Sequence, residues 1–180
     1  MSRGVCAARL QGLALAAIAA ATAACSPELN WREFQPEGSG LVVRFPCRPA
    51  RQSRPVALAG HRVQMDMLAC SAGGSSFAIV YADLPDLAAV APALTELQAR
   101  AAANIAAAPV PATPLQVPGM TPNAQAARLI LDGRLPDGKD VREEALFFSK
   151  GLRIYQASVI GHAPSAEAIG TFVSGLKLPA

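Results

Sequence analysis

The stretch VREEALFFSKGLRIYQASVI, residues 141–160, indicates the fold most clearly. Two runs rich in aliphatic, β-branched and aromatic residues are separated by a Lys-Gly pair, which is typical of a tight turn. The stretch therefore predicts two antiparallel strands, 141–148 and 152–160. A third strand, 126–131, precedes them and completes a meander.

The first half of the chain repeats the plan of several strands followed by a helix. Residues 41–45 read LVVRF and predict a strand. Residues 55–70 contain alternating apolar and polar side chains on either side of a Gly-His pair, which predicts a hairpin. The continuous apolar run FAIVYA, residues 77–82, predicts a strand that is covered on both faces.

Two helices are predicted, one after each set of strands. Residues 86–108 are rich in Ala and carry apolar side chains at helical spacing, and Ser165 is a suitable N-cap for a second helix. The order of strands, helix, strands and helix predicts an α+β fold, a central antiparallel sheet flanked by helices. The helical side chains expected to be buried are Leu97, Ile105, Ile169 and Phe172.

The N-terminus resembles the signal peptide of a bacterial lipoprotein. Arg3 and Arg9 precede a 15-residue stretch, 10–24, whose residues are apolar or small except for Gln11. This stretch is shorter than the roughly 20 residues that span a bilayer, but it is typical of a signal-peptide core. The small residues before Cys25 resemble a lipobox, with Thr22 at the position where Leu is usual.

The lipobox implies cleavage before Cys25 and attachment of a lipid to its thiol. The predicted organisation is a signal peptide at 1–24, a tether at 25–40 and a single domain at 41–180. The absence of Asp after the Cys favours the outer membrane, with the domain facing the periplasm. The alternative is an ordinary secretory signal that leaves a free thiol at this position.

Cysteine usage predicts one disulfide. Cys6 leaves with the signal peptide and Cys25 carries the lipid, so Cys47 and Cys70 form an even pair in an oxidising compartment. A bridge between them closes a loop that stabilises the fold by about 3.5 kcal/mol on the chain-entropy model. Two buried thiols and a catalytic redox pair are the alternatives, although no Cys-x-x-Cys spacing is present.

Several short motifs resemble the PsbP-like domains, a family described as an α/β/α sandwich. The strand ending in Phe45-Pro46 with Pro49 resembles the family pattern F-x-F-P-x-x-P, and residues 82–85 read Ala-Asp-Leu-Pro. Residues 153–159 and 172–178 resemble the closing strand and helix. The resemblance covers residues 41–178 and implies a binding or assembly accessory, without implying any set of functional residues.

Charge marks one stretch as a candidate binding surface. Arg3 and Arg9 belong to the signal peptide, so the remaining chain has 14 basic and 13 acidic side chains, too balanced for a typical nucleic-acid-binding protein. No acid occurs between Gly38 and Met65, whereas five arginines do. These residues predict contact with an anionic lipid or an envelope protein, or else an ordinary solvated surface: Arg44, Arg48, Arg51, Arg54 and Arg62.

No pattern in the sequence predicts catalysis, a metal site or a cofactor. His61 and His162 stand alone in predicted turns, and Glu143 and Glu144 alternate along one strand and cannot form a carboxylate pair. The sequence favours a membrane-anchored, non-enzymatic binding or assembly accessory. The alternative is an envelope hydrolase whose site is spread over residues that no motif connects.

Overall fold

The computed structural model describes residues 28–179. Within this range, seven antiparallel strands form one sheet in the order β3-β4-β5-β9-β8-β7-β6, and β1 pairs with β2 in a small second sheet. The strands are β1 (Arg32–Phe34), β2 (Val43–Phe45), β3 (Ala50–Leu58), β4 (His61–Ala72), β5 (Ser75–Asp83), β6 (Thr113–Pro114), β7 (Ala127–Arg134), β8 (Asp140–Lys150) and β9 (Arg153–Gly161). The helices are α1 (Val90–Asn104), which follows a 3₁₀ turn at Leu87–Ala89, and α2 (Ala166–Ser174).

The prediction of an α+β sandwich with helices flanking the sheet is wrong, because the chain is mostly β. Strands account for 45% of the described residues and helices for 18%. The two predicted helices do form, but they are short, and each covers only part of a sheet that is longer and wider than expected. Many of the unexpected strand residues lie in β3, an exposed edge strand whose polar side chains lack the apolar alternation of a buried strand, and others form the short strands β1 and β6.

Apolar side chains cover the two faces of the large sheet in two separate clusters. On the first face, α1 packs against β7, β8 and β9 and buries Leu94, Leu97 and Ile105. On the second face, α2 and the small sheet cover β5 and β9, where the rings of Phe45, Phe77 and Phe172 meet edge to face. Leu97, Ile105 and Phe172 are buried as predicted, whereas Ile169 is half-buried.

Part of the predicted tether is folded into the domain. Residues 32–34 form β1, and Leu29, Trp31 and Phe34 pack against the second-face cluster. Residues 29–32 read Leu-Asn-Trp-Arg and alternate apolar and polar side chains, which is the pattern of a half-buried extended segment that leads into β1. None of the helices in the described range is long and apolar enough to cross a membrane.

Candidate functional site

The predicted disulfide is present. Cys47 and Cys70 are bonded, with their Cα atoms 6.0 Å apart. Cys47 follows β2 and Cys70 lies in β4, so the bridge joins the small sheet to the large one. The covalent link fixes the position of residues 46–49 against the rest of the domain.

The five arginines of the acid-free stretch do not form one positive face. Arg51 and Arg54 lie in β3 at positions of opposite parity, so their side chains leave opposite faces of the sheet. Arg51 pairs with Asp66 at 3.1 Å, which neutralises it. Arg62 lies beside the Gly60 turn, toward the other end of the β3–β4 hairpin from Arg48.

Arg44 is separated from the others in another way. It belongs to β2, where it is exposed between the buried side chains of Val43 and Phe45. Its Cβ and Cγ atoms approach Gly175, where α2 ends. The alternation of β3 and the change of sheet at β2 therefore disperse charges that are adjacent in the sequence.

The described chain begins at one end of the large sheet, close to the turn between β4 and β5. A Cβ atom added to Gly73 would lie 3.0 Å from the side chain of Leu29 and 3.8 Å from the carboxylate of Glu28. The Asn30 amide donates to the Pro46 carbonyl at 2.8 Å, and Trp31 packs edge to face on Phe77. These contacts hold residues 28–31 in place.

We call this end of the sheet the entry end. Strand pairing places four segments there, which are the turn 73–74, residues 46–49, the turn 135–139 and the connection 161–165. The far end carries the Gly60 and Gly151 turns. Cys25, the predicted lipidation site, lies outside the described residues, only three positions before Glu28. A chain of three residues spans at most about 11 Å.

A cleft of about 450 Å³ at the entry end contains two arginines. Arg32 begins β1 and Arg48 follows the disulfide-bonded Cys47, and both are exposed. Glu33 also lines the cleft, but its carboxylate is 3.4 Å from the Lys177 ammonium group. Arg32 was not among the predicted binding residues, because residues 25–40 read as a tether. The alternation around Trp31 was the signal that could have found it.

A second cleft, of about 760 Å³, also lies at the entry end. His162 lines it together with two cross-strand ion pairs, Asp132–Arg142 at 2.8 Å and Arg134–Asp140 at 2.8 Å. Each arginine holds the carboxylate opposite it, and the hydrogen bond from Arg142 lowers the pKa of Asp132. Nδ1 of the His162 ring lies 3.2 Å from the backbone carbonyl oxygen of Asp140. Because both carboxylates are occupied by arginines, the cleft offers no free acid to assist the imidazole.

A charged and aromatic network at the far end holds the loop between β1 and β2. Arg153 pairs with Asp83, donates to the Gly38 carbonyl and lies over the Tyr81 ring. The Tyr155 hydroxyl donates to the Ser39 carbonyl at 2.7 Å. Burial raises the pKa of Tyr155 to about 12, so the hydroxyl stays protonated as this bond requires. The network fixes the loop and leaves little free hydrogen-bonding capacity for a ligand.

Glu143 and Glu144 are both buried, on opposite faces of β8. Glu144 forms an ion pair with Arg128 at 2.9 Å. Glu143 faces the α1 side between Val141 and Ala145, and its polar partner there is the Ser158 hydroxyl. Burial raises the pKa of Glu143 to about 7. The two carboxylates do not act as a pair, and in the described residues no group of three acidic, His or Cys side chains is arranged to hold a metal ion.

Comparison with known proteins assigns no family. The chain matches no protein-family model and no curated protein. The PsbP-like resemblance therefore stays a prediction from short motifs, and the sandwich that it implied is corrected by the mostly β architecture.

Proposed function

We propose that this chain is an envelope lipoprotein, anchored through Cys25 in the outer membrane and facing the periplasm, whose domain acts by binding at the membrane surface. The observation that carries the proposal is the fixed start of the described chain. Leu29 and Trp31 are packed into the domain, so a lipid on Cys25 leaves a tether of only a few residues. A domain on so short a tether works within about 11 Å of its anchor point.

The side chains at the entry end favour binding over catalysis. A catalytic site needs a nucleophile, a base and a stabilising donor that converge on one point. In the 760 Å³ cleft, each carboxylate is instead paired with an arginine, and His162 contacts a carbonyl oxygen. The described residues of this cleft therefore lack the convergence that catalysis needs, which favours binding as the role of the domain.

Replacement of Cys25 tests the anchor. We expect Cys25→Ser to move the protein from the membrane pellet to the soluble periplasmic fraction and to abolish labelling with palmitate. Cys6→Ser is the matched control, because it makes the same chemical change within the signal peptide and should leave the protein in the outer-membrane fraction. The proposal fails if Cys25→Ser still pellets with membranes, or if the unaltered protein takes up no palmitate.

Crosslinking in intact cells tests the binding role of the anchored protein. We expect the unaltered protein to give a reproducible adduct with one envelope component, either a protein or a lipid. The Cys25→Ser protein, which is no longer held at the surface, should lose most of that adduct. An adduct of equal yield in both proteins would show that binding does not depend on the anchor.

A further inference from the structure

We propose that the cleft between Arg32 and Arg48 binds the phosphate group of an anionic lipid headgroup in the membrane that holds the anchor. The inference rests on the proposed lipidation of Cys25. The cleft has a volume of about 450 Å³, and its lining residues are Asn30, Arg32, Glu33, Phe34, Cys47 and Arg48.

The charges in the cleft suit an anion. Within the part of the chain that the structure describes, no carboxylate forms an ion pair with Arg32 or Arg48, whereas the one acid in the cleft, Glu33, is held by Lys177. The planar guanidinium group matches phosphate oxygens with two parallel hydrogen bonds. The Asn30 side chain lines the same cleft and accepts a 3.5 Å hydrogen bond from Arg32 Nε through Oδ1, so its NH₂ group is a further donor for an anion.

The backbone on both sides of the cleft is fixed before any lipid arrives. Arg32 is opposite Phe45 in the pairing of β1 with β2, and Arg48 follows a cysteine that is bonded to β4. Fixed backbone positions reduce the entropy that is lost when an anion binds. The arrangement therefore differs from the dispersed arginines of β3 and β4, which have no common target.

The short tether holds the cleft close to the membrane, where the local concentration of lipid headgroups is high. Asn30 lines the cleft and lies five residues after Cys25, so headgroups around the anchor are within reach of both arginines. Two basic side chains beside an anionic surface shift the equilibrium between docked and undocked domain by about 30-fold.

The only tryptophan, Trp31, is adjacent to Arg32 and provides the measurement. The mature lipidated protein is reconstituted into vesicles whose acyl chains carry bromine, a short-range quencher of indole fluorescence. One set of vesicles is phosphatidylcholine alone, and the other contains about 30% phosphatidylglycerol. We expect the anionic lipid to increase quenching of Trp31 at low salt, and high salt to reverse the increase.

Two double variants with the same change of charge locate the effect. Arg32→Gln with Arg48→Gln should remove the dependence on phosphatidylglycerol, whereas Arg54→Gln with Arg62→Gln should retain it. All four side chains are exposed, so both variants should melt at the temperature of the unaltered protein. Equal quenching of the two variants in anionic vesicles would overturn the proposal.

The remaining outcomes separate the cleft from the anchor. If the protein stays on both kinds of vesicle but the quenching of Trp31 does not depend on phosphatidylglycerol, the cleft proposal is wrong and the proposed anchor still stands. A protein that leaves phosphatidylcholine vesicles altogether contradicts the anchor, and the cleft proposal falls with it. If inorganic phosphate at matched ionic strength abolishes the effect of phosphatidylglycerol, the cleft prefers a soluble anion and the lipid assignment is wrong.

Discussion

Glu143 is a carboxyl group that folding removes from water without providing a cation. The side chains next to it on the same face of β8 are Val141 and Ala145, and the residues opposite it in the adjacent strands are Leu131 and Ile160. A buried carboxylate without a positive partner is costly, so the neutral acid is favoured and the pKa rises to about 7.

The raised pKa predicts how stability depends on pH. Below pH 4 both the folded and unfolded states hold the proton. Between about pH 4.5 and 7 the unfolded state releases it while the folded state retains it, so the free energy of unfolding falls as pH rises. The loss is complete above pH 7 and is on the order of 3 kcal/mol.

Glu143→Gln tests this prediction because it keeps the shape and the bond to Ser158 but does not ionise. In urea unfolding the variant should match the unaltered protein at pH 4 and exceed its stability at pH 8. Glu37→Gln, at an exposed carboxyl, is the control and should show no such gain. Parallel pH curves for Glu143→Gln and the unaltered protein would contradict the account.

Some properties of single residues could be predicted from the sequence and others could not. The even number of remaining cysteines, together with the predicted export to an oxidising compartment, was sufficient to predict the Cys47–Cys70 bridge, because only one pairing remained. The run of arginines was not sufficient to predict a site. Its charges are adjacent along the chain, but strand alternation turns Arg51 and Arg54 to opposite faces. Arg32 entered the candidate site only when β1 placed it beside Arg48.

At the scale of elements, the end of α1 is fixed by direct contact with β7. The Arg134 amide donates to the Ile105 carbonyl at 2.5 Å, which satisfies one of the free carbonyl groups at the helix end. Gly133 permits this approach, since an added Cβ atom would lie 2.2 Å from the same oxygen.

Two glycine-to-alanine changes should therefore have opposite effects. Gly133→Ala forces α1 away from β7 and should lower the free energy of unfolding by about 1–3 kcal/mol. Gly170→Ala lies in α2 with no atom near the added methyl group, and should raise stability by about 1 kcal/mol through helix propensity. Urea unfolding measures the free energy of unfolding of both variants. A Gly133→Ala protein as stable as the unaltered one would contradict the prediction, because it would show that α1 can move away from β7 at no cost.

Elements that carry a strong local signal were predictable. The side chain of Ser165 accepts from the Ala168 amide and begins α2 as its type suggests, and the glycine turns separate the strands as expected. The polar edge strand β3 and the short strands β1 and β6 were missed or underestimated. Such strands are specified by their partners in the sheet rather than by their own alternation. The fold class was therefore wrong although both helices were located correctly.

At the scale of the whole molecule, three features meet at the entry end of the sheet. These are the start of the described chain, the disulfide and the cleft that holds Arg32 and Arg48. The far end is occupied by the network around Arg153, which holds a loop. We propose that a lipid anchor on Cys25 keeps the entry end against the membrane and directs the far end into the periplasm.

Paramagnetic broadening in lipid nanodiscs measures this orientation most directly. The mature lipidated protein, labelled with ¹⁵N, is placed in nanodiscs that contain a lipid with a gadolinium-bearing headgroup. The account predicts strong loss of the amide signals of Gly73, Gly74 and His162, with the signals of Gly60 and Gly151 largely retained. Uniform loss along the chain, or stronger loss at Gly60 than at Gly73, would contradict it.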